Sequence, residues 1–161
     1  MFLDGRNVLH YSSESGHLDL VKFFVEKCNM NIDRKTYKGQ SPLDIACDEE
    51  NTKVIKYLCS KKPNVKYTLV QQVRKNRQKM VLYLIKYGNI SKEQYVKEAT
   101  PLHVSISLNF ATITKILMKY TPWMMECTNY NGKSPQDYIS IRSSSKILSL
   151  YEEFYSNKLE L

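Results

Sequence analysis

One layout of residue types returns along this 161-residue chain at a nearly fixed interval, and that recurrence limits the fold more than any other feature. From Gly5 to Asp33 the chain reads GRNVLHYSSESGHLDLVKFFVEKCNMNID. Asn7-Val8-Leu9-His10 opens a short helical pattern and Gly16-His17 closes it. A second apolar face follows at Leu20, Val21, Phe24 and Val25, spaced with the 3.6-residue period of a helix. Ser41-Pro42-Leu43-Asp44 restarts the layout 34 residues after Asn7 (41 minus 7), with Ile45-Ala46 next and Ile55, Leu58 and Cys59 on the second helix. Thr100-Pro101-Leu102-His103 and Ser134-Pro135-Gln136-Asp137 are again 34 apart (134 minus 100).

A single such unit is too small to fold alone. Each buried Leu, Val or Phe contributes about 1.5–3 kcal/mol, while ordering each backbone residue costs about 1–2 kcal/mol. Several units must therefore share one core, with stability accumulating at nearest-neighbour interfaces. Small Ser12 and Ser13 would let a neighbouring helix pair approach closely, and Gly16 can supply the positive φ that a tight turn between helices requires. With 5 Gly, 5 Pro and 42% hydrophobic residues, the composition fits an all-α chain better than a sandwich of short strands.

These residues resemble ankyrin repeats, whose unit of about 33 residues carries a T-P-L-H-x-A signature, a turn and two helices. The resemblance is specific over Gly5–Asp33, Gly39–Leu58 and Thr100–Met118. It implies one all-α ankyrin-repeat solenoid over 1–161, with about five helix-turn-helix units at 3–36, 37–63, 64–92, 93–129 and 130–157. The third unit is degenerate: Tyr67-Thr68-Leu69-Val70 replaces the signature, and the register starting at Tyr67 leaves only a shortened finger before it. In the second unit the inter-helix turn reads Glu50-Asn51 in place of Gly-His, with Asn expected to absorb the change. Trp123-Met124-Met125 forms an apolar loop expected to pack locally or make a contact. The last unit, with Ile147, Leu150, Tyr151 and Phe154 along one helix, is expected to act as a carboxy-terminal cap. The first unit has no polar cap ahead of it, so the chain is expected to be part of something longer.

No apolar run approaches the roughly 18 residues that a bilayer span needs, and the amino terminus lacks a signal-like basic flank and apolar centre. A cytoplasmic chain without membrane association is expected. Cys28, Cys47, Cys59 and Cys127 show no C-x-x-C spacing and are expected to be buried, reduced thiols. His10 and His103 occupy the signature position, where the resemblance implies a hydrogen bond to neighbouring backbone. His17 follows the turn glycine and is read as structural too. No metal site, cofactor or catalytic motif is implied.

Charge is the strongest signal outside the repeat. From Asn51 to Lys92 the chain holds Lys53, Lys56, Lys61, Lys62, Lys66, Arg74, Lys75, Arg77, Lys79, Lys86 and Lys92 without one Asp or Glu, within a net charge of +8. One expectation is a solvated outer surface. The other is attraction of an acidic partner. Nucleic-acid or other polyanion binding through 51–92 is the alternative, although no stacking platform or base-reading helix accompanies it. The run 74–79 also resembles a nuclear-localisation signal, tied here into a helix and turn.

The resemblance implies a non-enzymatic protein-protein interaction module, a monomer that holds a partner segment on a concave surface made by finger tips and first-helix ends. The finger residues so implied are Leu3, Asp4 and Arg6, then Tyr37, Lys38 and Gln40, and later Tyr130, Asn131 and Lys133. The helix ends are Glu14 and Ser15, Asp48 and Glu49, Arg74 and Lys75, Ser107 and Leu108, and Ile141 and Arg142. Tyr37, Arg74, Lys75 and Tyr130 are the leading anchors, since aromatic and charged side chains dominate such contacts.

Overall fold

Each helix pair begins where a short polar side chain can catch orphaned backbone N–H groups. In the computed structural model, which describes residues 4–139 and 144–159, Asn7 Oδ1 accepts from the backbone of Leu9 and His10 at 3.1 and 3.2 Å. Ser41 Oγ does the same for Asp44 at 3.1 Å, and Pro42 and Pro101 fill helix-start positions whose N–H would have no partner.

The helices so started are α1 (Val8–Ser15), α2 (Leu18–Glu26), α3 (Pro42–Asp48) and α4 (Thr52–Ser60). With the start of α5 (Lys66–Arg74) and residues 86–89, they form the first of two compact units. The second holds the remainder of α5, most of α6 (Gln78–Tyr87), then α7 (Pro101–Ser107), α8 (Ala111–Tyr120) and α9 (Ser145–Leu159). No strand occurs among the described residues, so the fold is all-α.

The turn inside each pair repeats one geometry. Gly16, Glu50, Asn76 and Asn109 all have positive φ, at +73°, +54°, +54° and +60°. Behind each, the next N–H reaches back to the preceding helix: His17 to Ser12 at 3.2 Å, Asn51 to Ala46 at 2.9 Å, Arg77 to Gln72 at 3.0 Å and Phe110 to Ser105 at 2.9 Å. The left-handed residue of the second turn is thus Glu50, not Asn51 as the sequence suggests. Asn51 is needed elsewhere: its Nδ2 donates to the carbonyls of Ser13 and Glu14, both at 2.8 Å, and ties the end of α1 to the turn of the next pair.

Within the first unit α1 packs on α3 and α2 on α4. Leu9, Val21, Ala46, Val54, Ile55 and Leu58 are fully buried, and buried Ser13 keeps the first helices close. In the second unit Leu69, Val73, Met80, Leu84, Leu102, Ile113 and Leu117 form the core. The shortened finger of the third repeat is the Lys61–Val65 link between α4 and α5. The apolar loop at Trp123 winds into a 3-10 turn, Pro122–Glu126, that buries Met124 and Met125, so it packs locally.

Three departures from the sequence reading have physical causes. The last repeat opens with a 3-10 turn, Pro135–Tyr138, and not an α-helix, and α9 then covers α8 as a single long helix. Cys28 is exposed because it lies beyond the last turn of α2, whereas Cys47, Cys59 and Cys127 are buried. Burial pushes the Cys59 thiol up to about 11, which makes it unreactive. Leu20, placed on the apolar face of α2, is 48% exposed.

Candidate functional site

The implied contact residues are presented by two recurring devices, a finger turn and a helix end. In the first unit Thr36 N–H donates to Gln40 O at 2.9 Å and Gly39 N–H to Thr36 O at 2.9 Å. In the second, Asn129 N–H donates to Lys133 O at 2.9 Å and Gly132 N–H to Asn129 O at 2.9 Å. Gly39 and Gly132 take the positive φ that closes each turn. Tyr37 and Tyr130 are therefore held at the same turn position and project into solvent, 69% and 77% exposed. Lys38, Asn131 and Lys133 are exposed beside them.

The signature residues hold these fingers in place. His103 Nδ1 accepts from Thr100 N–H at 3.0 Å, and its Nε2 donates to Lys133 O at 3.0 Å. His10 Nε2 likewise donates to Arg34 O at 3.0 Å. Burial lowers the pKa of both rings below the ordinary histidine value, so each is neutral at pH 7. Asp44 fills the position in the second repeat. Its Oδ2 accepts from Ser41 N–H at 2.7 Å and pairs with Lys35 at 3.2 Å. These side chains carry structure, as the resemblance implies.

Within the first unit Gln40 Nε2 donates to Asp48 Oδ2 at 3.4 Å, which links finger to helix end; both are half-buried, while Glu49 is exposed. Tyr37 N–H donates to Asp4 O at 3.1 Å, joining successive fingers. Arg6 binds Glu14 at 2.8 Å and Asp4 at 3.1 Å, so the opening charges of the chain neutralise one another. Within the second unit Arg74 and Ser107 meet at a groove of about 210 Å³ lined also by Val104, Leu108 and Tyr138. Arg74 is exposed and its side chain makes no ion pair or hydrogen bond among the described residues; Lys75 is exposed next to it. Ser107 Oγ donates back to His103 O at 2.8 Å. Val104 and Tyr138 were absent from the sequence reading. They are 34 apart, so the repeat interval could have found them. Leu3, Ile141 and Arg142 lie outside the described residues.

The basic stretch is partly occupied at home. The ammonium groups of Lys56 and Lys86 lie over the Tyr87 ring at 5.5 and 5.3 Å, and Lys61 lies over Tyr57 at 5.2 Å and pairs with Glu26 at 3.0 Å. The run 74–79 spans the end of α5, a turn and the start of α6. No group of three or more His, Cys, Asp or Glu among the described residues could hold a metal ion, and no described helix is long and apolar enough to cross a membrane.

Residues 2–69 match the ankyrin repeat family in its three-copy form. The chain superposes on the ankyrin repeat domain of Bcl-3, a member of the IkappaB protein family, with a TM-score of 0.76 at 14% identity, covering 93% of this chain and 69% of that one. It also superposes on the ankyrin repeat protein EF0377, with a TM-score of 0.71 at 16% identity over 95% of this chain and 83% of the other. Among curated proteins, the mitochondrial liver isoform of glutaminase from Rattus norvegicus is 40% identical over 55 residues, and that of Mus musculus 38% over 55 residues. Those segments span 34% of this chain and 9% of each glutaminase. Residues 2–69 are thus ankyrin repeats by sequence, and the fold across the chain is that of ankyrin-repeat domains. Ankyrin repeats are in general non-enzymatic modules that bind other proteins.

Proposed function

We propose that this chain recognises a segment of a partner protein through its finger tips and first-helix ends, without chemistry of its own. The observation that carries the proposal is the groove of the second unit, where the Arg74 guanidinium lies open beside Leu108, Val104 and Tyr138. A guanidinium next to apolar surface suits an acidic side chain flanked by an aliphatic one, since a carboxylate can take two parallel hydrogen bonds while its neighbour buries apolar area. Tyr130 and Lys133 extend the same unit's recognition surface, and Tyr37 and Lys38 give the first unit its own.

The Arg74→Glu/Lys75→Glu double variant should weaken partner binding by more than about 1 kcal/mol and leave the helical circular dichroism and the melting temperature unchanged, because both side chains are exposed. Titration calorimetry of wild type and variant against the captured partner reads this directly. Unaltered affinity would remove the groove from the account. Competition by unrelated oligonucleotides, with affinity falling steeply as salt rises, would replace it by polyanion binding.

A further inference from the structure

Among the asparagines of the chain only Asn131 precedes a glycine, and the fold sets this pair at the tip of the second finger turn. Asn131 is exposed, and its carboxamide makes no hydrogen bond among the described residues. Gly132 has a φ of +70°, and a Cβ there would meet nothing within 4 Å, so nothing crowds this backbone step. The turn is held by a few bonds around Asn129. Asn129 N–H donates to Lys133 O and Gly132 N–H to Asn129 O, both at 2.9 Å. Asn129 Oδ1 accepts from Asn131 N–H at 2.9 Å and from Lys133 N–H at 3.2 Å. Tyr130, Asn131, Gly132 and Lys133 are all exposed, so opening the turn uncovers no apolar core, and such segments lie at the low end of local stability.

We propose that Asn131 is a self-modifying site, where the Gly132 amide nitrogen converts the asparagine into a carboxylate without an enzyme. When the turn opens, Gly132 N–H leaves Asn129 O and its nitrogen attacks Asn131 Cγ. A C–N bond forms, the side-chain nitrogen departs as ammonia with the proton from Gly132 N, and a five-membered succinimide results. Water then opens the ring. Addition at Cγ breaks the new bond and gives aspartate at position 131; addition at the main-chain carbonyl gives isoaspartate, with one more carbon in the main chain. Either product sets a negative charge between Tyr130 and Lys133. Asn29 and Asn76 show why the glycine matters. Both are exposed, and the amide after each is hydrogen-bonded as Gly132 is, Met30 N–H to Phe24 O at 3.1 Å and Arg77 N–H to Gln72 O at 3.0 Å. Met30 and Arg77, however, carry side chains that hinder the attack, and their bonds close helix ends, whereas Gly132 has no side chain and closes only the finger turn. The first finger, with Lys38 ahead of Gly39, has no carboxamide to convert. That the new charge turns the second finger away from an acidic partner rests on the recognition reading above; the chemistry does not.

The full chain is kept folded in warm neutral buffer, and peptide mass spectrometry follows the replacement of side-chain nitrogen by oxygen at each asparagine over time. Asn131 should convert at least about tenfold faster than Asn29 or Asn76. Asn129→Ala removes the Oδ1 acceptor that holds Asn131 and Lys133, so the turn opens more often and conversion at position 131 should speed at least about threefold, with helical circular dichroism unchanged. Conversion at Asn131 no faster than at Asn29 and Asn76 would overturn the proposal, and this comparison needs no variant. A rate at position 131 that Asn129→Ala leaves unaltered in a folded chain would overturn it too, since attack would then not wait on the turn. Neither readout contains a partner, so a failure of the recognition reading would leave both results standing.

Discussion

Leu58→Ala should destabilise the chain by about 2–5 kcal/mol, a large share of the roughly 5–15 kcal/mol available to a folded domain. Leu58 is 0% exposed on α4, and removing its side chain leaves a cavity at a site the neighbouring helix pair helps to close. In a stack of small units the loss also falls on the coupling between neighbours, so urea unfolding should become broader as well as earlier. Leu20→Ala is the matched control. Both leucines sit on second helices, but Leu20 is 48% exposed, and its replacement should change stability by no more than about 0.5 kcal/mol. Equal losses for the two variants would show that burial in the stack does not follow the interfaces described.

Gly16→Ala carries the second large effect, about 2–4 kcal/mol. Two costs combine. A Cβ in the left-handed region costs about 1–2 kcal/mol, and Gly16 has φ +73°. That Cβ would also lie 2.7 Å from Asn51 Oδ1. Asn51 would have to move and release its bonds to Ser13 O and Glu14 O, worth about 0.5–1.5 kcal/mol each. Gly39→Ala separates the costs: its φ is +76°, but a Cβ there meets nothing within 4 Å, so only the backbone cost should appear. Chemical denaturation of both variants checks the difference, and Asn51→Ala in the Gly16→Ala background should add little, since the bonds are already lost.

The repeat interval made most of the fold legible. It located the capped helix starts and the turns between paired helices, because those depend on residues close in sequence; the structural role of His10 and His103 came from the resemblance, since their bonds to Arg34 O and Lys133 O span 24 and 30 residues. It even placed α5 and α6 in the degenerate repeat, where apolar spacing outlasted the signature. What it missed depends on neighbours in space. Leu20 and Val54 hold the same repeat position, 34 apart, yet Leu20 is 48% exposed and Val54 0%, because α2 packs on the helix that carries Val54. Glu50 takes the left-handed turn because it holds the position of Gly16, 34 residues earlier, which leaves Asn51 to bridge to Ser13 and Glu14. The proposed contact residues divide in the same way. Tyr37 and Tyr130 were legible from the finger turn, whereas the groove that brings Arg74 to Val104 and Tyr138 needed coordinates.

Recognition by finger tips and helix ends is tested most directly by hydroxyl-radical footprinting of the chain, free and saturated with its captured partner. Exposed tyrosines report on different surfaces, because Tyr37 and Tyr130 lie on fingers while Tyr120 ends the second helix α8. The account predicts partner-dependent protection of Tyr37 or Tyr130 together with Leu108, and unchanged oxidation of Tyr120. Protection of Tyr120 with both finger tyrosines still open would contradict it.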